Sequence, residues 1–328
     1  MGRLFKSEVH EQAFVNSGFT IAGGIDEFQI QALYEIYNKL QIADDIGLGY
    51  NVGMNSRIRE KRIAMQRAII ETIGDTIANQ LDGYKPYSAT FMNKEHKKHL
   101  LIKAHQDFSY TDENQYPSFM CWIPLLDVNL QNGALGYIPS SHMHLTYPRA
   151  FPSPLQPTPV TEHQVSLMKY FNIMPMKKGE AIFFNHRTIH GSFPNVSGKE
   201  RLAVGINFVK KETTPLAYIF NPQSKGAEID LYEVDSQFIT DFTNSMLHEQ
   251  YQSGKIQIPY KKVNTIRWPY PDLSGGSFLE KIASLSKGSK LENEAILNNY
   301  YLHERRQKWV NRIYGIIPEF AKRIYQVK

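Results

Sequence analysis

Apolar and polar residues change their spacing along this chain, and each change marks a different kind of structure. Up to residue 83 the apolar positions recur at helical intervals. Phe28, Leu33, Ile36, Tyr37 and Leu40 follow a period close to 3.6 behind Asp26, a residue suited to capping a helix start. Ile69, Ile73, Ile77 and Leu81 repeat at i+4, which predicts a second helix over about 56–81. From Tyr84 to about Val209 the pattern breaks into short runs rich in Val, Ile, Phe, Tyr and Trp. These are YSATFM (Tyr87–Met92), SFMCWIPL (Ser118–Leu125), LGYIP (Leu135–Pro139), EAIFFN (Glu180–Asn185) and LAVGINFV (Leu202–Val209). Many short strands separated by Gly, Pro and Asn predict a mainly β fold with flanking helices. Its expected core is a double-stranded β-helix, a jelly roll of cupin-like form.

The segment Thr146–Pro159 holds five prolines, which excludes a helix or a central strand. A long loop of this composition is expected to cover a site. After Lys210, PYPDLSGGS (Pro269–Ser277) reads as a surface linker. Leu297, Tyr301, Val310, Ile313, Tyr314 and Ile317 predict a terminal helix packed back on the body and interrupted at Pro318. The expected organisation is one domain over 1–328. Helical support spans 1–83, the core spans 84–210 with a proline-rich insertion at 146–160, and an extension runs over 211–328.

Composition narrows the setting. The chain has 328 residues, 42% hydrophobic and 21% charged, which excludes a disordered or fibrous state. A lone cysteine, Cys121, rules out an internal disulfide and any cysteine-rich zinc site. No apolar run is long enough to span a bilayer, and the N-terminus lacks a signal-peptide core, so a cytoplasmic protein without a membrane partner is expected. The net charge of +5 is spread along the chain rather than gathered in a stripe, which argues against nucleic acid as partner. Lys94, His96, Lys97, Lys98, His99 and Lys103 form a basic run. It reads by default as a solvated hairpin, and functionally as an attractor for an anionic substrate such as a phosphate ester.

The chemistry gathers in AHQDFSY. His105 and Asp107 are two apart, so on a strand their side chains share a face. His190, in IHGSF, offers a third ligand, and two His with one carboxylate leave half of an octahedron open, as in non-haem Fe(II) oxygenases. His186 is a rival for that third place. Arg201, eleven residues past His190, heads the run LAVGINFV and can clamp a carboxylate bidentately.

These pieces together resemble the phytanoyl-CoA dioxygenase family of Fe(II)/2-oxoglutarate oxygenases. The resemblance runs from about Ser17 to Val209. It rests on His105-Gln106-Asp107, Trp122, Asn132-Gly133-Ala134-Leu135, IPSSH (Ile138–His142), GEAIFFNHRTIHGS and PNVSGKER, in that order. It implies Fe(II) ligation by His105, Asp107 and His190, which are then also the catalytic centre. It implies 2-oxoglutarate contacts from Arg201, Ser192, Trp122 and Gln106, although Gln106 on a regular strand points away from the metal face. O2 is the second cosubstrate implied, with ascorbate in support. The implied reaction hydroxylates or otherwise oxidises an unactivated C–H of a small organic molecule, with 2-oxoglutarate converted to succinate and CO2. A carboxylate at 107, where halogenating relatives carry a small residue, implies hydroxylation rather than halogenation. Ser140 stands where the family usually has Gly, and the chain after Lys210 has no counterpart, so the namesake substrate does not transfer. The alternative reading is a metal-binding jelly roll or zinc-dependent hydrolase without oxygenase activity. Oligomeric state is left open.

Overall fold

The computed structural model describes residues 2–41, 49–96, 100–153, 158–268, 275–286 and 290–316. Several expectations touch positions outside these: Lys97, Lys98 and His99, residues 154–157 of the proline-rich stretch, 269–274 of the linker, and Ile317 and Pro318. The side chains of Val310, Ile313 and Tyr314 also lie outside the description.

The N-terminal part contains α1 (Glu8–Ser17), β1 (Phe19–Gly24), α2 (Glu27–Leu40) and β2 (Tyr50–Val52). Asp26 caps α2 as its position predicts: its carboxylate accepts from the Gln29 amide, and the Gln29 side chain closes a capping box. The helix expected over 56–81 is built in pieces: α3 (Arg59–Ile69), a π-helical turn (Ile70–Gly74) and the short α4 (Asp75–Ala78).

The middle of the chain forms β3 (Tyr84–Lys94), β4 (Ile102–His105), β5 (Phe119–Pro124), β6 (Leu135–Tyr137), α5 (Pro159–Glu162), β7 (Asn172–Ile173), β8 (Glu180–Asn185), β9 (His190–Ser192) and β10 (Arg201–Lys210). Every strand-like run read from the sequence is a strand here. The last third contributes β11 (Leu216–Phe220), β12 (Glu228–Glu233), α6 (Gln237–Asp241), α7 (Asn244–Gln252), β13 (Lys261–Arg267), α8 (Gly275–Leu285) and α9 (Lys290–Ile316).

The architecture corrects the expected jelly roll. Strands pair into an antiparallel six-stranded sheet of order β1-β8-β5-β10-β3-β2, a four-stranded sheet β4-β9-β6-β7 and a three-stranded sheet β11-β12-β13. Among the described residues each sheet is open, its two end strands unpaired on their outer sides, and none closes into a barrel. The fold is mixed α/β. Alternating apolar runs specify that strands exist, but closure depends on pairing between distant segments, which local pattern does not encode.

The period of two in the strands sorts side chains into layers. Phe119, Cys121, Ile123, Ala181, Phe183, Val204, Ile206 and Phe208 lie on one face of the six-stranded sheet and pack against α1–α4. The intervening Met120, Trp122, Ile182, Phe184 and Ala203 meet Leu135 and Tyr137 of the four-stranded sheet. Ile138, Ile189 and Phe193 pack on the far side with Phe278, Ile282 and Leu297 of α8 and α9. The proline-rich segment docks on the third sheet, where Phe151 exchanges backbone hydrogen bonds with Tyr218 and Phe220. No described helix is long and apolar enough to cross a membrane.

Candidate active site

The inner face of the six-stranded sheet carries the polar groups. Register pairs Arg201 with Lys94, Ala203 with Met92, Gly205 with Thr90 and Asn207 with Ser88 across β10 and β3. The four-stranded sheet lies over this face and supplies two imidazoles. His105 and His190 are direct partners on β4 and β9, with ring centroids 4.3 Å apart. Regular pairing from Ile102↔Ser192 would set Ala104 opposite His190. One extra residue in β4, a bulge, brings His105 there instead. The bulge crowds Gly191, where a Cβ would stand 2.4 Å from the Ile102 carbonyl oxygen, so glycine is required.

Asp107 lies just past the end of β4 rather than on it. Its amide donates to the His186 carbonyl (3.0 Å), and its own carbonyl accepts from Arg149 Nε (2.8 Å). Ligand atoms of His105, Asp107 and His190 all fall within 4.8 Å of one another. Asp107 Oδ1 is 3.7 Å from His105 Nε2, and Oδ2 is 3.6 Å from His190 Nε2.

Tautomers follow from the partners. His105 Nδ1 donates to the Lys103 carbonyl (2.7 Å), and His190 Nδ1 donates to the Thr188 carbonyl (3.0 Å). With Nδ1 engaged in this way, each ring directs Nε2 toward the Asp107 carboxylate. Burial lowers the His190 pKa to about 4, which keeps it neutral. Burial opposes the charge on Asp107, but His190, His186, His105 and Arg149 outweigh it and hold the carboxyl below its usual range. Two ring nitrogens and a carboxylate converging on one point fit a divalent cation, and backbone acceptors behind both rings orient them for it.

His186, the rival ligand, is engaged elsewhere. Its Nδ1 contacts the Phe108 carbonyl (2.8 Å) and Ser118 Oγ (2.9 Å), and its Nε2 contacts Asn207 Oδ1 (3.2 Å). Gln106 turns aside, donating from Nε2 to the Arg187 and Leu145 carbonyls. It is not brought into the Arg201 group.

Arg201 is fully buried. Its Nη1 donates to the Gly133 carbonyl (2.8 Å), while Nε and Nη2 have no hydrogen-bond partner. Its guanidinium carbon lies 5.2 Å from the Trp122 ring centre and 5.9 Å from that of Tyr50. Lys94 was expected on a wet hairpin, yet it is buried beside Arg201. Its Nζ donates to Ser192 Oγ (2.6 Å) and to the Phe193 carbonyl. Burial, and Arg201 after it, drive the Lys94 pKa well down. The available signal was alternation: Ser88, Thr90, Met92 and Lys94 continue one strand face. Arg201, Lys94, Ser192 and Trp122 thus form one group with two buried cationic side chains and no carboxylate described against them.

A second buried cluster went unread in the sequence. Glu113 receives both Arg149 Nη atoms at 2.6 Å and Ser109 Oγ at 2.9 Å, with Arg187 Nε 3.4 Å away. Burial would raise its pKa, but Arg149 and Arg187 hold the carboxyl below the usual range. Ser140, the departure from the family glycine, takes a left-handed conformation (φ 60°). Its hydroxyl offsets that by donating to the Asn16 carbonyl at 2.7 Å.

Comparison with known proteins agrees in extent with the site. The family model for phytanoyl-CoA dioxygenase matches residues 58–203, a span that includes every residue of the triad and of the Arg201 group. A phytanoyl-CoA dioxygenase of Arabidopsis thaliana is 35% identical over 118 residues, 34% of this chain. The match covers 39% of that relative's length. Among solved structures, HygX from Streptomyces hygroscopicus with nickel, 2-oxoglutarate and hygromycin B is similar at 12% identity, over 63% of this chain and 88% of that chain, with TM-score 0.47. The non-heme α-ketoglutarate-dependent carbocyclase SnoK from nogalamycin biosynthesis is similar at 20% identity, over 64% and 86%, with TM-score 0.44. Over residues 58–203, somewhat less than half of its length, the chain is similar to the phytanoyl-CoA dioxygenase family.

Proposed function

We propose that this protein is an Fe(II)/2-oxoglutarate-dependent dioxygenase that hydroxylates, or otherwise oxidises, an unactivated C–H of a small organic molecule. 2-Oxoglutarate is converted to succinate and CO2 in the same turnover. The observation that carries this reading is a pairing: a converging His105–Asp107–His190 set beside a buried Arg201 guanidinium and Lys94 amine that lack an acid. A hydrolase or a metal store has no use for the second half.

Ferrous iron held by the triad supplies the activation of O2 and the oxidation of the C–H bond. The chain supplies position. Arg201 offers its free Nε and Nη2 to the distal carboxylate of 2-oxoglutarate. Lys94 adds charge and occupies Ser192 Oγ as acceptor, which leaves the Ser192 hydroxyl proton to donate to the same carboxylate. Trp122 backs the guanidinium and walls the pocket from water. Arg149 and the His186 carbonyl hold the peptide of Asp107, so that its carboxylate meets the two rings without searching.

The test is succinate formation by purified protein with Fe(II), ascorbate and 2-oxoglutarate, ascorbate serving to keep the iron ferrous. Uncoupled turnover is expected from wild type. It is expected to fall by more than about 100-fold in His105→Ala and Asp107→Ala. Wild-type rates in both variants would overturn the assignment.

A further inference from the structure

In front of the triad lies a chamber of about 350 Å³, bounded by β2, β3, the proline-rich segment and the α6–α7 region. Its chemistry differs from that of the Arg201 end. Among the described lining residues the only charged side chain is Asp107, which the triad already uses. Phe108 and Phe151 stack 3.7 Å apart at 17° and make one flat wall, while Met54, Met92 and Met120 give an adaptable apolar surface. Arg201 and Lys94 sit six residues along the strands from Asn207 and Ser88, about 20 Å away in an extended strand. Tyr50, in contact with Arg201, lines the chamber between the two ends.

One polar spot interrupts the apolar lining. The Asn207 amide donates to Ser88 Oγ at 2.8 Å, and its Oδ1 faces His186 Nε2 at 3.2 Å. These bonds use one of the two amide protons and leave the Ser88 hydroxyl proton unspent. Both donors border the chamber.

We infer that the chamber takes an uncharged molecule with a flat apolar body, aromatic or fused-ring, and a carbonyl-type oxygen that accepts from Asn207 and Ser88. This rests on the oxygenase reading for its meaning as a substrate class, but not for its test. A carboxylate or phosphate in this chamber would meet no described cation and would sit near Asp107. The neutral substrate and the dianionic cosubstrate are therefore sorted to opposite ends of one sheet face. The anionic substrate expected from the basic run has no place in the described lining.

Three matched probes test this by calorimetry on the full chain, without iron but with excess 2-oxoglutarate so that the Arg201–Lys94 end is closed to the carboxylate probe: 2-acetylnaphthalene, 2-ethylnaphthalene and 2-naphthoate. The ketone is expected to bind about tenfold tighter than the hydrocarbon, by the value of its hydrogen bonds, and more than about 100-fold tighter than the carboxylate. Asn207→Leu should bring the ketone down to the hydrocarbon's affinity. Ser88→Ala, which removes a single hydroxyl, should weaken the ketone severalfold and leave the hydrocarbon unchanged. Equal affinities for the three, preference for 2-naphthoate, or no binding of any probe would overturn the inference. Succinate release in the preceding test needs no chamber ligand, so either result stands whatever the other shows.

Discussion

Two buried arginine sites in this protein answer the same problem in opposite ways. At one, Arg149 grips Glu113 bidentately while Arg187 Nε stands 3.4 Å away in ion-pair range. At the other, Arg201 and Lys94 lie side by side with Nε and Nη2 of the guanidinium unpartnered. Burying a cation is costly unless an anion and hydrogen bonds compensate. The first site has its anion within the protein, although Arg187 Nε makes no hydrogen bond, and it works as a brace, since Arg149 also holds the Asp107 carbonyl. On the proposed reading, the second is completed by the anion of the cosubstrate. The difference separates a structural use of arginine from a binding use more surely than burial, which the two share. His142 gives a third answer. It sheds its charge: burial lowers its pKa to about 4, and its Nδ1 has no partner.

Removing Glu113 should do the most damage. Glu113→Ala strands two buried guanidinium groups, and a loss of about 3–5 kcal/mol in urea unfolding is expected. A change below 1 kcal/mol would mean that the brace is relieved by water. Arg201→Met should do the reverse. Without cosubstrate its stability should match or exceed wild type by about 1–2 kcal/mol, because an uncompensated charge is gone. Its KM for 2-oxoglutarate should rise at least about tenfold. A stability loss like that of Glu113→Ala, with unchanged KM, would make Arg201 a second brace. Ligand stabilisation sharpens this point. Millimolar 2-oxoglutarate with a redox-inert divalent metal should raise the wild-type Tm by several degrees, and that rise should vanish in Arg201→Met.

The last effect shows only on acidification. An unfolded chain protonates His142 in the ordinary histidine range, whereas the folded protein does so only near pH 4. Its contribution is therefore full above about pH 6.5 and is lost as the pH falls toward 4, by about 3 kcal/mol. His142→Gln should remove that part of the slope. The wild-type slope will retain a share from His186 and His190, whose pKa values burial also lowers. The measured quantity is thus the difference between the two proteins, and identical slopes would show that His142 is already relieved in the folded state.

Legibility in the sequence followed the physics of each feature. The strands were readable because their burial is local and periodic, as in EAIFFN, whose bounds are those of β8. His105, Asp107, His190 and Arg201 stood out because their side-chain chemistry is rare in that order and spacing, and the structure gathers the three ligands. The open sheets were not readable, since pairing such as β1 with β8 joins residues some 160 positions apart. Lys94 was hidden by the strong tendency of lysine to lie at the surface. Glu113 was hidden because its partners, Arg149 and Arg187, are far off in the chain and belong to loops. Gln106 was named by resemblance alone, and the backbone carbonyls of Leu145 and Arg187 hold its amide.

The surplus residue in β4 has a consequence for how this protein tolerates change. Deleting Lys103 or Ala104 would straighten the ladder against β9 while still leaving His105 opposite His190. A one-residue slip that instead paired Ala104 with His190 would turn the imidazole at 105 onto the reverse side of the sheet. Here an irregularity holds the register in which the candidate ligands meet, and a repair by slippage would yield a well-folded protein without the complete candidate set.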